Sequence, residues 1–154
     1  MKTAKFMLVM ALTGSTFKGF AQDGAVLPPQ VVIEALSADD SVKLATFITK
    51  ANINDCYGNY SVLSHAVRLG AIKCFHLLIT DSADVNKTCN DYVPPLMHAA
   101  KYGRLEMIKV LVAKGANLHY QYTGQSPELA GQTPLSYAQK FHKDNVVMFL
   151  QSLK

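Results

Sequence analysis

The chain has 154 residues, 49% of them hydrophobic and 17% charged, with no Trp and a formal net charge of +4. That length holds one compact domain or one short repeat array, and the composition excludes collagen, coiled coil, low-complexity disorder and a multi-pass membrane protein. Three cysteines are too few for a disulfide scaffold.

Lys2 and Lys5 open the chain, Phe6 to Leu12 is apolar, and Thr13, Gly14, Ser15 and Thr16 follow. The apolar run is too short to cross a bilayer, which takes about 20 residues, and it suits the core of a secretory signal. Gly19 and Ala21 offer the small residues a signal cleavage site needs, so residues 1–21 are predicted to be removed after Ala21, leaving 22–26 as a short lead. The competing reading is an amphipathic N-terminal helix of a cytosolic protein. No cysteine precedes Cys56 and no second apolar segment follows. The expectation is a bacterial protein, periplasmic or secreted, without membrane insertion after cleavage. Lys2, Lys5 and Lys18 all fall in the signal, and 12 basic against 11 acidic residues remain in 22–154, a net of +1. The basic excess is a targeting feature.

Beyond residue 26 the sequence repeats itself. Ser61-Val62-Leu63-Ser64-His65-Ala66 aligns with Pro94-Pro95-Leu96-Met97-His98-Ala99, and both Leu63 to Leu96 and Gly70 to Gly103 span 33 residues. Thr133-Pro134-Leu135-Ser136-Tyr137-Ala138 is a third copy, delayed to 39 residues by an insertion within Gln121 to Gly131. Each copy leads into a second apolar helix pattern: Ile72, Phe75, Leu77 and Leu78; Leu105, Ile108, Val110 and Leu111; Val147, Phe149, Leu150 and Leu153. A turn follows, as in Ala83-Asp84-Val85-Asn86 and Gly115-Ala116-Asn117-Leu118-His119. Ala51-Asn52-Ile53-Asn54 extends the pattern upstream, behind the apolar positions Val31, Val32, Ala35, Leu36, Val42, Leu44, Phe47 and Ile48.

In these T-P-L-x-x-A and G-A-x-x-N signatures the chain resembles the ankyrin repeat family. The resemblance implies an all-α solenoid of about four stacked helix-turn-helix repeats with β-turn fingers, near 27–54, 55–86, 87–119 and 120–154. Thr133 supplies an N-cap and Pro134 a first helical residue. Ala66, Ala99 and Ala138 are small enough for close helix approach. Gly115 suits the left-handed end of a second helix, where its counterpart Ser82 costs about 1 kcal/mol. Histidine stands one place later than the family's pattern, at His65 and His98, with Tyr137 third.

His65 and His98 occupy equivalent places on neighbouring repeats, but no carboxylate or cysteine completes a metal site, so no metal or cofactor is expected. Cys56 and Cys89 lie 33 apart on neighbouring fingers. Helix-stacking distances of about 8–10 Å exceed the roughly 7 Å limit for a bridge, so free thiols are expected. Cys74 reads as a small core residue. No nucleophile, zinc or phosphate motif is present, which speaks against an enzyme. No basic stripe appears, which speaks against nucleic acid.

The resemblance implies that fingers and first helices form a concave protein-binding face. Its lining would be Tyr57, Asn59, Tyr60, Arg68, Asn90, Tyr92, Lys101, Tyr102, Tyr120 and Tyr122, tyrosine being a good interface residue. The alternative is that some of these rings pack finger to finger. The inserted finger is either part of the binding surface or a tolerated insertion. Resemblance to small exported bacterial ankyrin proteins implies a monomer that binds an envelope protein or a toxin. Two roles follow: an immunity or inhibitor protein, or an accessory factor for an envelope enzyme, for example in oxidative stress defence.

Overall fold

The computed structural model describes residues 29–90 and 92–153, so the predicted signal and lead lie outside the described residues. Helices come in four pairs: α1 (Gln30–Ser37) with α2 (Ser41–Ala45), α3 (Val62–Leu69) with α4 (Ile72–Thr80), α5 (Pro95–Tyr102) with α6 (Leu105–Ala113), and α7 (Pro134–Lys140) with α8 (Asp144–Gln151). A short antiparallel hairpin, β1 (Cys56–Tyr57) and β2 (Tyr60–Ser61), precedes α3 and forms a finger. The first helices stack in chain order, α1 on α3, α3 on α5, α5 on α7, and each second helix packs on its own first helix. This is the all-α solenoid that the repeat pattern predicts.

Local chemistry starts each first helix. Thr133 Oγ1 accepts from the Ser136 amide at 3.2 Å while Ser136 Oγ accepts from the Thr133 amide at 2.8 Å, a reciprocal cap. Ser61 Oγ accepts from the Ser64 amide at 3.2 Å, which replaces the Pro that α3 lacks. In α5, Pro95 takes the first helical position, where a missing N–H costs nothing.

The repeats are joined by small residues and polar ties. Ala35, Ala66, Ala99 and Ala138 are fully buried at equivalent places on the four first helices. The motif asparagines reach forward by one repeat: Asn54 Oδ1 accepts from the Asp84 amide, and Asn86 Oδ1 from the Asn117 amide, each at 2.8 Å. Asp39 likewise accepts from the amides of Lys73 and Cys74 and so caps α4 from the repeat before. Arg104 lays its guanidinium over the end of α3, where a Cβ on left-handed Gly70 would lie 2.7 Å from Cζ. The φ of 74° is what favours glycine there, and a side chain would also have to displace the guanidinium.

The main core runs through all four repeats, and Phe75, Leu36, Leu63, Leu78, Leu96 and Ile108 fill it. A second, smaller core gathers Val93, Met97, Tyr122, Leu129 and Tyr137, with Tyr92, Tyr120 and Phe141 against it. Three residues of the expected apolar pattern depart from burial. Val42 is 78% exposed, because α2 is a five-residue helix of the first repeat, and its outer side meets no earlier repeat among the described residues. Ile72 is exposed beside an open groove with Arg104 and Leu105, and Leu153 is exposed past the end of α8.

Ser82 adopts φ 68° and its counterpart Gly115 φ 86°. A side chain at 115 would touch nothing within 4 Å, so backbone strain alone separates the two. Ser82→Gly should therefore raise unfolding stability by about 0.5–1 kcal/mol, and Gly115→Ser should lower it by a similar amount. Shifts in denaturant midpoint at constant slope would measure both.

Candidate functional site

The second and third fingers are fastened together. Cys56 and Cys89 form a disulfide with a Cα–Cα distance of 5.7 Å. This corrects the expectation of free thiols. Helix spacing, fixed by side chains between two cylinders, does not govern the fingers. There a side chain of one finger reaches the backbone of the other: Asn90 Nδ2 donates to Gly58 O at 2.9 Å and lies 3.4 Å from Asn59 Oδ1. Gly58 and Asn90 both take left-handed backbone, φ 62° and 48°.

Above the first helices the rings interlock. Tyr60 makes edge contacts with His65, Tyr92 and His98, at centroid distances of 5.2, 5.5 and 5.2 Å. Tyr92 lies tilted against His98 at 5.8 Å, and its carbonyl accepts from Tyr120 Oη at 3.3 Å. Tyr137 and Phe141 continue the series at 5.0 Å. Two cations flank it. The Arg68 guanidinium stands 3.8 Å above the Tyr60 ring, and Lys101 Nζ lies 5.6 Å from Tyr102 and 5.0 Å from Phe141. Contacts of this kind hold a cation in place while leaving its hydrogens free for an acceptor.

Burial and these charges set the titration of the groups below. His98 is 3% exposed, and its Nε2 has no hydrogen-bond partner. Burial first, then Arg68, Lys101 and His65, hold its pKa down to about 3. His65 is also lowered by burial, with Arg68 adding to the shift and its 3.4 Å contact with the Tyr57 carbonyl opposing it. Burial pushes Tyr92 up, and it pushes Tyr137 up to about 12. The imidazoles are thus neutral packing groups at neutral pH.

The residues expected to line the face divide. Tyr60, Arg68, Tyr92, Lys101 and Tyr120 are half-buried on it, and Tyr102 is exposed. Asn59 and Asn90 are exposed but engage each other across the fingers. Tyr57 and Tyr122 are corrections: at 6% and 4% exposure they are core residues. Tyr57 is buried in the main core below the hairpin. Tyr122 is drawn in by the insertion, which closes on itself through Tyr122 N to Gln132 O and Gly131 N to Tyr122 O, both 3.0 Å. Leu129 goes in with it, and Tyr122 Oη accepts from the Ser126 amide. The insertion is therefore a structured finger. Thr123 and Gln125 remain exposed at its tip, beside an open hollow of about 340 Å³ shared with Thr88 and Tyr120. Phe141 was missed by the sequence reading, because it falls past the end of α7 and lies 39 residues from its counterpart Tyr102.

Cys74 is buried, its sulfur 3.6 Å from the Ala35 carbonyl, and burial pushes its pKa up to about 11. That is the environment of an inert core thiol. Among the described residues no three His, Cys, Asp or Glu side chains gather as metal ligands, and no helix is long and apolar enough to cross a membrane.

The family profile for ankyrin repeats, in three copies, matches residues 30–122 and 63–153. An ankyrin repeat protein of Rickettsia felis is 30% identical over 117 residues, 72% of this chain and 52% of its own length. The ankyrin repeat, SAM and basic leucine zipper domain-containing protein 1 of Dasypus novemcinctus is 42% identical over 45 residues, 29% of this chain and 10% of its own. The chain thus spans about half of the first relative and a tenth of the second.

Two outcomes test the site's construction. The bridge closes a loop between cysteines 33 apart, so Cys56→Ser with Cys89→Ser should lower unfolding stability by about 3–4 kcal/mol on the chain-entropy argument. Denaturant unfolding against the oxidised parent measures it. An unfolded-state histidine takes its proton near 6.5, His98 only near 3. Below about pH 6.5 the unfolded chain binds the extra proton, so this contribution to stability is complete at neutral pH and is lost as pH falls toward about 3. His98→Phe should therefore gain in melting temperature relative to the parent between about pH 7 and pH 4. A difference independent of pH would contradict the assignment.

Proposed function

This chain belongs to the ankyrin repeat family, and we propose that it is an exported, non-catalytic binding module that holds one protein partner on its finger face. Ankyrin repeats are a general protein-protein interaction module, generally without catalysis. The observation that carries the reading is the fixed aromatic and cationic surface formed by Tyr60, Arg68, Tyr92, Lys101 and Tyr102. Aromatic and arginine side chains held rigid in advance are the groups that anchor protein interfaces, since little side-chain freedom is lost on binding. The bridge between Cys56 and Cys89 holds the two fingers that carry Tyr60 and Tyr92.

Export to the bacterial periplasm or beyond is supported by the basic and apolar start of the chain and by the bridge, since disulfides persist in oxidising compartments. Within that setting the protein is a monomer that blocks its partner, as an immunity protein blocks a toxin. The exposed tip at Thr123 and Gln125 beside the face favours a blocking role, because it offers a projecting element next to a rigid surface. The competing role is an accessory factor for an envelope enzyme.

Affinity purification from envelope extracts with the full chain tests the reading. One stoichiometric partner is expected, with affinity lowered about tenfold or more by Tyr102→Ala and by Tyr60→Ala. His76→Ala, exposed on α4 away from the fingers, should leave it unchanged. Loss of the partner's activity on binding would establish the inhibitory role, and a gain the accessory one. A complex insensitive to both tyrosine changes would place the interface elsewhere.

A further inference from the structure

Stacking creates a row that is hidden along the chain. Arg68, Lys101 and Lys140 are equivalent residues in the last turns of α3, α5 and α7, separated by 33 and 39 residues. No basic stripe is legible along the linear sequence, where these three never approach one another. Beside them runs a second row, Leu69, Tyr102 and Phe141, exposed or half-buried. Arg68 rests on Tyr60 and Lys101 lies by Tyr102 and Phe141, while Lys140 Nζ donates to the Glu128 carbonyl at 3.2 Å. Among the described residues the ion pairs are Lys43 with Glu34 and Lys109 with Glu106, and neither includes a member of the row. Glu128 is an acid close to its far end, where its charge is felt at Tyr137.

We infer that this face takes an extended segment of the partner protein that carries a carboxylate at every third residue. The inference rests on the reading of the face as a protein-binding surface and names what that surface recognises. Neighbouring helices lie about 8–10 Å apart. An extended segment of the polyproline II kind advances about 3.1 Å per residue with three residues per turn, so every third side chain returns to the same side about 9 Å further on. Acidic side chains at every third position therefore come into step with Arg68, Lys101 and Lys140. The residues between them meet Leu69, Tyr102 and Phe141. A cation stacked on a ring keeps its outward N–H groups for a carboxylate, and such charge-assisted bonds are the stronger kind. A helical segment would bring carboxylates three residues apart within about 5 Å, half the required step.

The probes are two labelled peptides of one composition, measured by fluorescence anisotropy against the full chain at low ionic strength. One has three glutamates separated by Ser-Thr pairs, and the other has the three glutamates contiguous. A single strand of oligothymidine is the third probe. The spaced peptide is expected to bind about tenfold tighter than the contiguous one. It should weaken with Arg68→Gln and Lys101→Gln, recover in part with Arg68→Lys, and ignore Lys109→Gln on α6. Unchanged melting temperatures certify that the variants fold. Equal binding of both peptides, or tighter binding of the oligonucleotide, overturns the inference. It is also overturned if neither peptide binds while the captured partner still depends on Tyr102 but not on Arg68 or Lys101, an outcome that leaves the protein-binding reading standing. If no partner is captured and no peptide binds, both readings fall together.

Discussion

A helix pair of this size cannot bury its own apolar side, so each repeat has to lean on the next, and closest approach is fixed at four alanines. Ala35, Ala66, Ala99 and Ala138 lie fully buried where successive first helices meet. A larger side chain there would push one repeat off its neighbour and open the main core along its length, since in such arrays stability resides in the interfaces between repeats. The same approach brings Arg104 over Gly70 and lets Asn54, Asn86 and Asp39 reach the backbone of the following repeat. These polar ties hold the repeats in register, while apolar burial holds them together.

Register then governs the surface. Once equivalent residues are aligned, any residue type that recurs at one position becomes a row, whatever separates its members along the chain. His65, His98 and Tyr137 become one series, half-buried at His65 and buried at the other two, with Tyr60 and Tyr92 packed against the histidines. The cost of this layering appears at His98, whose Nε2 is buried without a partner. Packing tolerates that orphan because the ring is neutral and packs against Tyr60 and Tyr92. A charged imidazole there would face both burial and two nearby cations.

The fold was legible in the sequence because its determinants are local and repeated. The 33-residue period, the alanines, the hydroxyl at Thr133 with Pro134 after it, and Gly115 each act within a few residues of their own position. The face was legible only in part. Tyr57, Tyr60, Tyr120 and Tyr122 look alike as turn tyrosines, and which of them points inward is decided by the hairpin and by the fold of the insertion. The bridge was not legible, because the distance between Cys56 and Cys89 is set by the fingers and not by helix spacing, and the Asn90 side chain of one finger reaches the Gly58 carbonyl of the other. Val42 shows the same limit: its apolar character is plain, but its exposure depends on what lies beyond the first repeat.

The insertion joins these strands of the argument. Lengthening one step from 33 to 39 residues leaves the alanine contact intact, since Ala138 is as buried as Ala99. The extra residues are therefore absorbed outside the helix stack, in the finger. A bare loop would carry them in water, yet this one turns Tyr122 and Leu129 onto Val93, Met97 and Tyr137. The rows on the first helices consequently end against a packed wall. Lys140 is held there by the Glu128 carbonyl rather than left to range freely. A partner lying along Arg68, Lys101 and Lys140 would reach the inserted finger at the fourth repeat, so the insertion gives the otherwise periodic surface a distinguishable end.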